Sequence, residues 1–111
     1  MEYASILDTV KEGNDIEVSD HSFDNDILMH INSSIAILTQ LGVGVEGFRV
    51  TSEAETWEDY ITDIVQLEMA KEYITKRTGL YFNPPRSQFL LNNVKSQIEE
   101  LEYRLNLRVD P

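Results

Sequence analysis

Residues 80–106 read LYFNPPRSQFLLNNVKSQIEELEYRLN. Two adjacent prolines, Pro84 and Pro85, separate an apolar-aromatic stretch from a run with helical periodicity. A proline biases the residue before it away from the α region and fixes its own φ, so Asn83 must leave any helix and the chain must turn stiffly. Ser87 is then the first residue able to cap a new helix. Leu91, Val94, Ile98, Leu101 and Leu105 follow at steps of three and four, a narrow apolar stripe. Asn93, Lys95, Gln97 and Glu99 make the other face polar, and Glu100 precedes Arg104 by four, the favourable order for an ion pair. The spacing predicts a helix over 87–106.

Working back from the turn, residues 56–78 carry acidic Glu58 and Asp59 at the start and basic Lys76 and Arg77 at the end, the order a helix dipole favours, with Gly79 placed to close it. Its apolar residues occupy more than one stripe, so this helix is either central or shared between its own core and another subunit. Ile27, Leu28, Ile31, Ile35, Leu38 and Leu41 mark a helix over 24–41, with Ser22 or Asp24 as its cap and Gly42 as its end. Ile6, Leu7 and Val10 behind Ser5 suggest a short helix over 5–12, Ser5 and Asp8 forming a weak capping box. Residues 42–55 read as a long loop holding a possible short extended segment. The expectation is an all-α fold, a small four-helix domain spanning residues 1–111.

The totals agree with one domain. A chain of 111 residues with 41% hydrophobic and 26% charged side chains is globular in composition. At this size the core is thin, so self-association would help it. Cysteine is absent, which removes disulfides and thiolate zinc sites. No apolar run is long enough to span a membrane, and the acidic opening MEYASILDTVKEG lacks the basic start and apolar stretch of a signal peptide. The net charge of −11 argues against broad binding to nucleic-acid phosphates, and no helix face gathers Arg and Lys as a helix-turn-helix reader needs. The charge is also uneven. Residues 1–70 carry 2 basic and 15 acidic side chains, whereas residues 71–111 carry 7 basic and 5 acidic. An acidic body and a more basic C-terminal arm suit contacts between copies.

No chemistry emerges from the residues. His21 and His30 are the only histidines, too few for a metal site without cysteine. The segment DHSFDND has oxygen ligands without the EF-hand spacing and reads as a capped turn. Gly42, Gly44 and Gly47 spell a literal G-x-G-x-x-G, but a helix precedes it and an extended segment follows, the wrong context for a dinucleotide site. The acidic residues between Glu53 and Asp63 suit a helix start and stand beside no nucleophile. Catalytic, cofactor and metal residues are therefore expected to be absent. Candidates for an interface or its turn are Trp57, Tyr73, Tyr81, Phe82, Pro84, Pro85, Arg86, Tyr103, Arg104 and Arg108, because aromatics and arginine are enriched where proteins meet.

The segment from Glu55 to Pro111 resembles the head–tail connector proteins of long-tailed bacteriophages and prophages. The residues that carry the likeness are Phe82-Asn83-Pro84-Pro85-Arg86-Ser87, then Phe89-Leu90-Leu91, then the stretch from Gln97 to Asn106. ILDTVKEGNDI and FDNDILMHINSSIAILTQLGVG look like the opening helices of that family. The resemblance implies an all-α adaptor, or head-completion protein, that forms a homo-oligomeric ring of about twelve copies. Its partners would be the portal protein above and a tail-side stopper or tail terminator below, with DNA passing through the channel without sequence-specific binding. It also implies a virion location at the head–tail junction, assembly in the bacterial host cytoplasm, and a C-terminal helix and tail that reach toward the portal. The competing expectation is a small α-helical protein-binding module or regulator of phage or bacterial origin.

Overall fold

The computed structural model describes residues 4–109, which form five helices: α1 Ile6–Gly13, α2 Asp24–Gln40, α3 Trp57–Tyr60, α4 Ile64–Phe82 and α5 Gln88–Val109. Among the described residues no strand forms, and an isolated bridge pairs Ser5 with Thr56. The fold is all-α, as the periodicities predict. α4 is the central helix and packs against the other four. α2 runs antiparallel to it: Arg77 donates to Ser34 Oγ at 3.2 Å, and one turn further along α4 Tyr81 stacks on His30, one turn earlier in α2. α5 returns antiparallel along α4 through Lys76–Gln97, Tyr73–Glu102 and Asp63–Arg108 pairs.

The helix expected over 56–78 is two helices. Thr56 Oγ1 accepts the Asp59 N–H and the Asp59 carboxylate accepts the Thr56 N–H, both at 3.4 Å, a capping box for α3. The backbone turns extended at Ile61 (φ −140°, ψ 132°), and Asp63 starts α4 by accepting the Val65 N–H at 3.1 Å. The interruption resets the helical phase. Trp57, Tyr60 and Ile61 before it are buried, while Ile64 and Val65 after it face solvent.

Two other boundaries and one cap differ from expectation. α4 does not stop at Gly79 but continues to Phe82, and Asn83 (φ −146°, ψ 72°) leaves the helix as a residue before proline must. Gly79 serves instead as a crossing point: a methyl group there would collide with the Asn14 carboxamide, whose Nδ2 donates to the carbonyls of Val10 (2.9 Å) and Thr75 (3.3 Å). At the start of α2 neither Ser22 nor Asp24 is the cap; Phe23 occupies that position without a side-chain bond. At the other end of the chain, Ser87 Oγ accepts the Leu90 N–H at 3.4 Å, and α5 continues past residue 106 to Val109.

The loop after α2 is held by burial and by one amide rather than by a strand. Val43 and Val50 are buried, and Phe48 stacks on Tyr60 with ring centroids 4.9 Å apart. Asn32 of α2 accepts the Val50 N–H and donates to the Val50 carbonyl, each at 2.8 Å, satisfying backbone groups as a neighbouring strand would. Gly44 has φ +80° and lies so close to the Tyr60 ring that a side chain would not fit. The glycines thus serve a tight turn, not a phosphate.

The segment between α1 and α2 is fastened by a buried charge. Lys11 is 0% exposed, and its ammonium donates to the carbonyls of Val18 (3.0 Å) and Asp20 (2.6 Å) and to Asp24 Oδ1 (2.8 Å). These acceptors use all three N–H groups of the ammonium, the condition under which a charge tolerates burial. Burial raises the Asp24 carboxyl pKa, but hydrogen bonds from Lys11 and His21 outweigh it and hold the group below its ordinary value.

Candidate assembly surface

α5 presents apolar side chains on two faces, the second of them interspersed with Asn93, Ser96 and Glu100. One is the predicted stripe: Ile98, Leu101 and Leu105 are buried against the core, each contributing about 1.5–3 kcal/mol, and Val94 packs partly against it. The other carries Phe89 (73% exposed), Tyr103 and Leu107. Phe89 and Leu107 are eighteen residues apart, five full turns, so they share one line along the helix, with Tyr103 one turn before Leu107. Leu90, also exposed, borders this face near the turn.

The outer face is presented at a fixed angle because α5 is tied to α4 along its length. About halfway along α5, Lys76 Nζ donates to Gln97 Oε1 at 2.6 Å. Further along, the Tyr73 hydroxyl donates to Glu102 Oε2 at 2.7 Å, and burial first, then this bond, raises the hydroxyl pKa. At the far end Arg108 grips Asp63 with two bonds, Nε to Oδ2 at 2.8 Å and Nη2 to Oδ1 at 3.2 Å. The Arg108 guanidinium holds the Asp63 carboxyl below the usual carboxylate range. α5 therefore lies along its own domain, and the stiff turn is one of several features that set its direction.

A second exposed aromatic group lies beside the turn. Tyr81 is 56% exposed, stacks on His30 (5.9 Å between centroids, 14° between planes) and receives the Arg77 guanidinium over its ring at 5.1 Å. Phe82 packs edge-on against Phe23 at 5.3 Å. Pro85, Gly79, Asn83 and Val94 line a cavity of about 220 Å³ between the turn and the end of α1.

The ten sequence candidates thus divide. Trp57 and Tyr73 are wholly buried inside one chain and present nothing to a partner, a correction that follows from the short α3 tucking Trp57 inward. Tyr81, Pro84, Arg86 and Tyr103 are exposed, and Phe82 and Pro85 are half-buried beside them. Arg104 pairs with Glu100 at 2.6 Å on the outside of α5, and Arg108 is committed to Asp63. The structure brings Tyr81, Phe82, Pro84, Pro85 and Arg86 together at the turn; Tyr103, Arg104 and Arg108 lie toward the opposite end of α5. The candidate set omits Phe89, Leu90, Leu107, Ile64 and Val65. The signal for the first and third was their alignment on the face opposite the buried stripe.

Among the described residues no group of His, Asp or Glu is arranged to hold a metal ion, and no helix is long and apolar enough to cross a membrane. The surface offers contact rather than chemistry. A family model described as phage connector protein matches residues 6–111. No curated protein and no solved structure matches the chain. Because the match runs from the first residue of α1 to the end of the sequence, this chain belongs to the phage connector protein family, structural components of the virion that join head and tail.

Proposed function

We propose that this protein is the adaptor between the portal at the capsid vertex and the tail-side proteins, forming a ring that extends the DNA channel and has no catalytic activity. Family membership over residues 6–111 is the observation that carries the reading. The distribution of apolar surface supports it. Phe89, Tyr103, Ile64 and Met29 are exposed at separate places on the surface, where neighbouring copies and partners could cover them. A ring places each copy between two neighbours and a third partner above or below, and so covers several separate patches. The net charge of −11 suits a conduit, since acidic walls repel DNA and let it slide. In this reading the turn at Pro84–Pro85, with Tyr81 and Phe82, meets the portal side, and assembly occurs in the bacterial host cytoplasm.

The test is co-expression with the portal protein of the phage that carries the gene, followed by light scattering over a concentration range and electron microscopy of the product. Rings seated on the portal are expected, whether the protein alone is monomeric or preassembled. A stable small dimer that ignores the portal would refute the adaptor role and favour a binding module instead.

A further inference from the structure

Residues 73–98 contain Lys76, Arg77, Arg86 and Lys95 and not one Asp or Glu, in a chain whose net charge is −11. This stretch covers the end of α4, the proline turn and the first half of α5, so it forms one end of the α4–α5 hairpin. Among the described residues no carboxylate pairs with Arg77, Arg86 or Lys95; Arg77 is bonded only to the hydroxyls of Ser33 and Ser34. Phe89 and Leu90 stand exposed at the same end. The opposite end of the hairpin has the inverse character. Ile64 (63% exposed) and Val65 (47%) open α4, and exposed Glu58, Asp59, Asp63 and Glu68 flank them, outnumbering Arg108, which pairs with Asp63, and Lys71, which pairs with Glu68. The two ends lie about 27 Å apart along the nineteen residues of α4.

We infer that the basic apolar end of one copy, built on Arg86, Phe89 and Leu90, docks on the acidic apolar end of the next, built on Glu58, Ile64 and Val65. This deepens the ring reading and rests on it: it names the two faces through which neighbouring copies meet. Each face has apolar side chains and a rim in which one sign outnumbers the other, and the predominant signs are opposite, so the pairing of unlike faces is favoured over the pairing of like ones. Two different faces at opposite ends of one rigid hairpin make a heterologous, head-to-tail contact, which propagates from copy to copy and closes only if the rotation per step allows.

The absence of cysteine makes a direct test available. Leu90→Cys and Val65→Cys are prepared as separate chains, each exposed in the fold, with Ser33→Cys as a control position. Because Ser33 touches Arg77 at the basic end, a second control, Ser19→Cys in the segment between α1 and α2, is included. The chains are mixed on the portal and oxidised. Cross-linking between the Leu90→Cys and Val65→Cys chains should exceed that of either chain with itself or with either control by about tenfold. Arg86→Glu or Glu58→Lys alone should reduce the yield by a similar factor, and the two combined in opposite partners should restore it. If rings form on the portal but these cysteines link no better than the controls, the face assignment is overturned and the ring reading stands. If no ring forms on the portal, the ring reading fails, and the face assignment with it.

Discussion

Replacing Lys11 with Met removes the buried ammonium while keeping most of the volume of its stem. Three acceptors then lose their donor: the Val18 and Asp20 carbonyls and Asp24 Oδ1. Removing one partner of a buried pair costs about 3–5 kcal/mol, because the other charge stays behind uncompensated. Here the Asp24 side chain is 20% exposed and keeps its 2.8 Å contact with His21, so water and the imidazole recover part of the loss. The expected destabilisation is about 2–3 kcal/mol. For a chain of this length that is a fall in Tm of about 8–12 °C. Urea unfolding followed by far-ultraviolet circular dichroism measures it, and Asp24→Asn with the double variant closes a cycle that isolates the pair. The pH dependence gives an independent reading. The Asp24 carboxyl titrates below its ordinary value of 3.8 in the folded protein. A folded-state pKa that is depressed contributes stability above the unfolded value, and that contribution is lost as pH falls through the folded one. The wild type should therefore lose stability on acidification below about pH 4, and Lys11→Met should lose less over that range. If Lys11→Met unfolds within about 0.5 kcal/mol of the wild type, the segment from Asn14 to Phe23 is held by something else and the reasoning is wrong.

Three further outcomes are expected. Tyr73→Phe should cost about 1.5–3 kcal/mol in urea unfolding, the value of a hydrogen bond to a carboxylate, with helix content unchanged. Gly79→Ala should destabilise by more than about 1 kcal/mol although alanine is the better helix former, because the methyl group meets Asn14; a gain in Tm would show that the α1–α4 crossing relaxes freely. The double change Pro84→Gly and Pro85→Gly should lower stability by only about 1–2 kcal/mol, through a freer unfolded chain, and leave the circular dichroism spectrum intact. In the same double variant, assembly with the portal should weaken and full heads should fail to join tails; normal tail joining would remove the turn from the assembly account.

The elements that were legible in the sequence are those in which one signal acts alone. The stripes of α2 and α5 follow a single period, and Ser5 and Ser87 are caps whose bonding is complete within four residues. The break at 61–63 was not legible because apolar residues run on through it, so two helices facing different ways look like one helix with two faces. Asp63 was the available clue, an acidic cap inside the run, but its carboxylate also fits a polar face. Lys11 was hidden by the expectation that lysine faces solvent, although it stands four residues after Leu7 on the buried side of α1. A periodic pattern says that a side chain is covered and not by which chain, so Trp57 and Tyr73 read in the sequence equally as core and as interface. The exposed end of α4 was invisible for the converse reason: Ile64 and Val65 have core composition, and only their position after the break turns them outward.

Asp63 has one more implication. Its carboxylate both starts α4 and receives Arg108 from the end of α5, so two helices depend on one side chain while Arg108 serves only one of them. The two members of the pair are therefore unequal in what sequence drift can do to them. Arg108 can be exchanged with loss confined to the tail of α5, whereas most replacements of Asp63 would fray α4 and release α5 together. Asparagine and serine are the exceptions, since they cap a helix about as well as aspartate does. A lineage that drifts away from this ion pair should accordingly pass through the arginine side, or through asparagine or serine at position 63, and rarely by any other path.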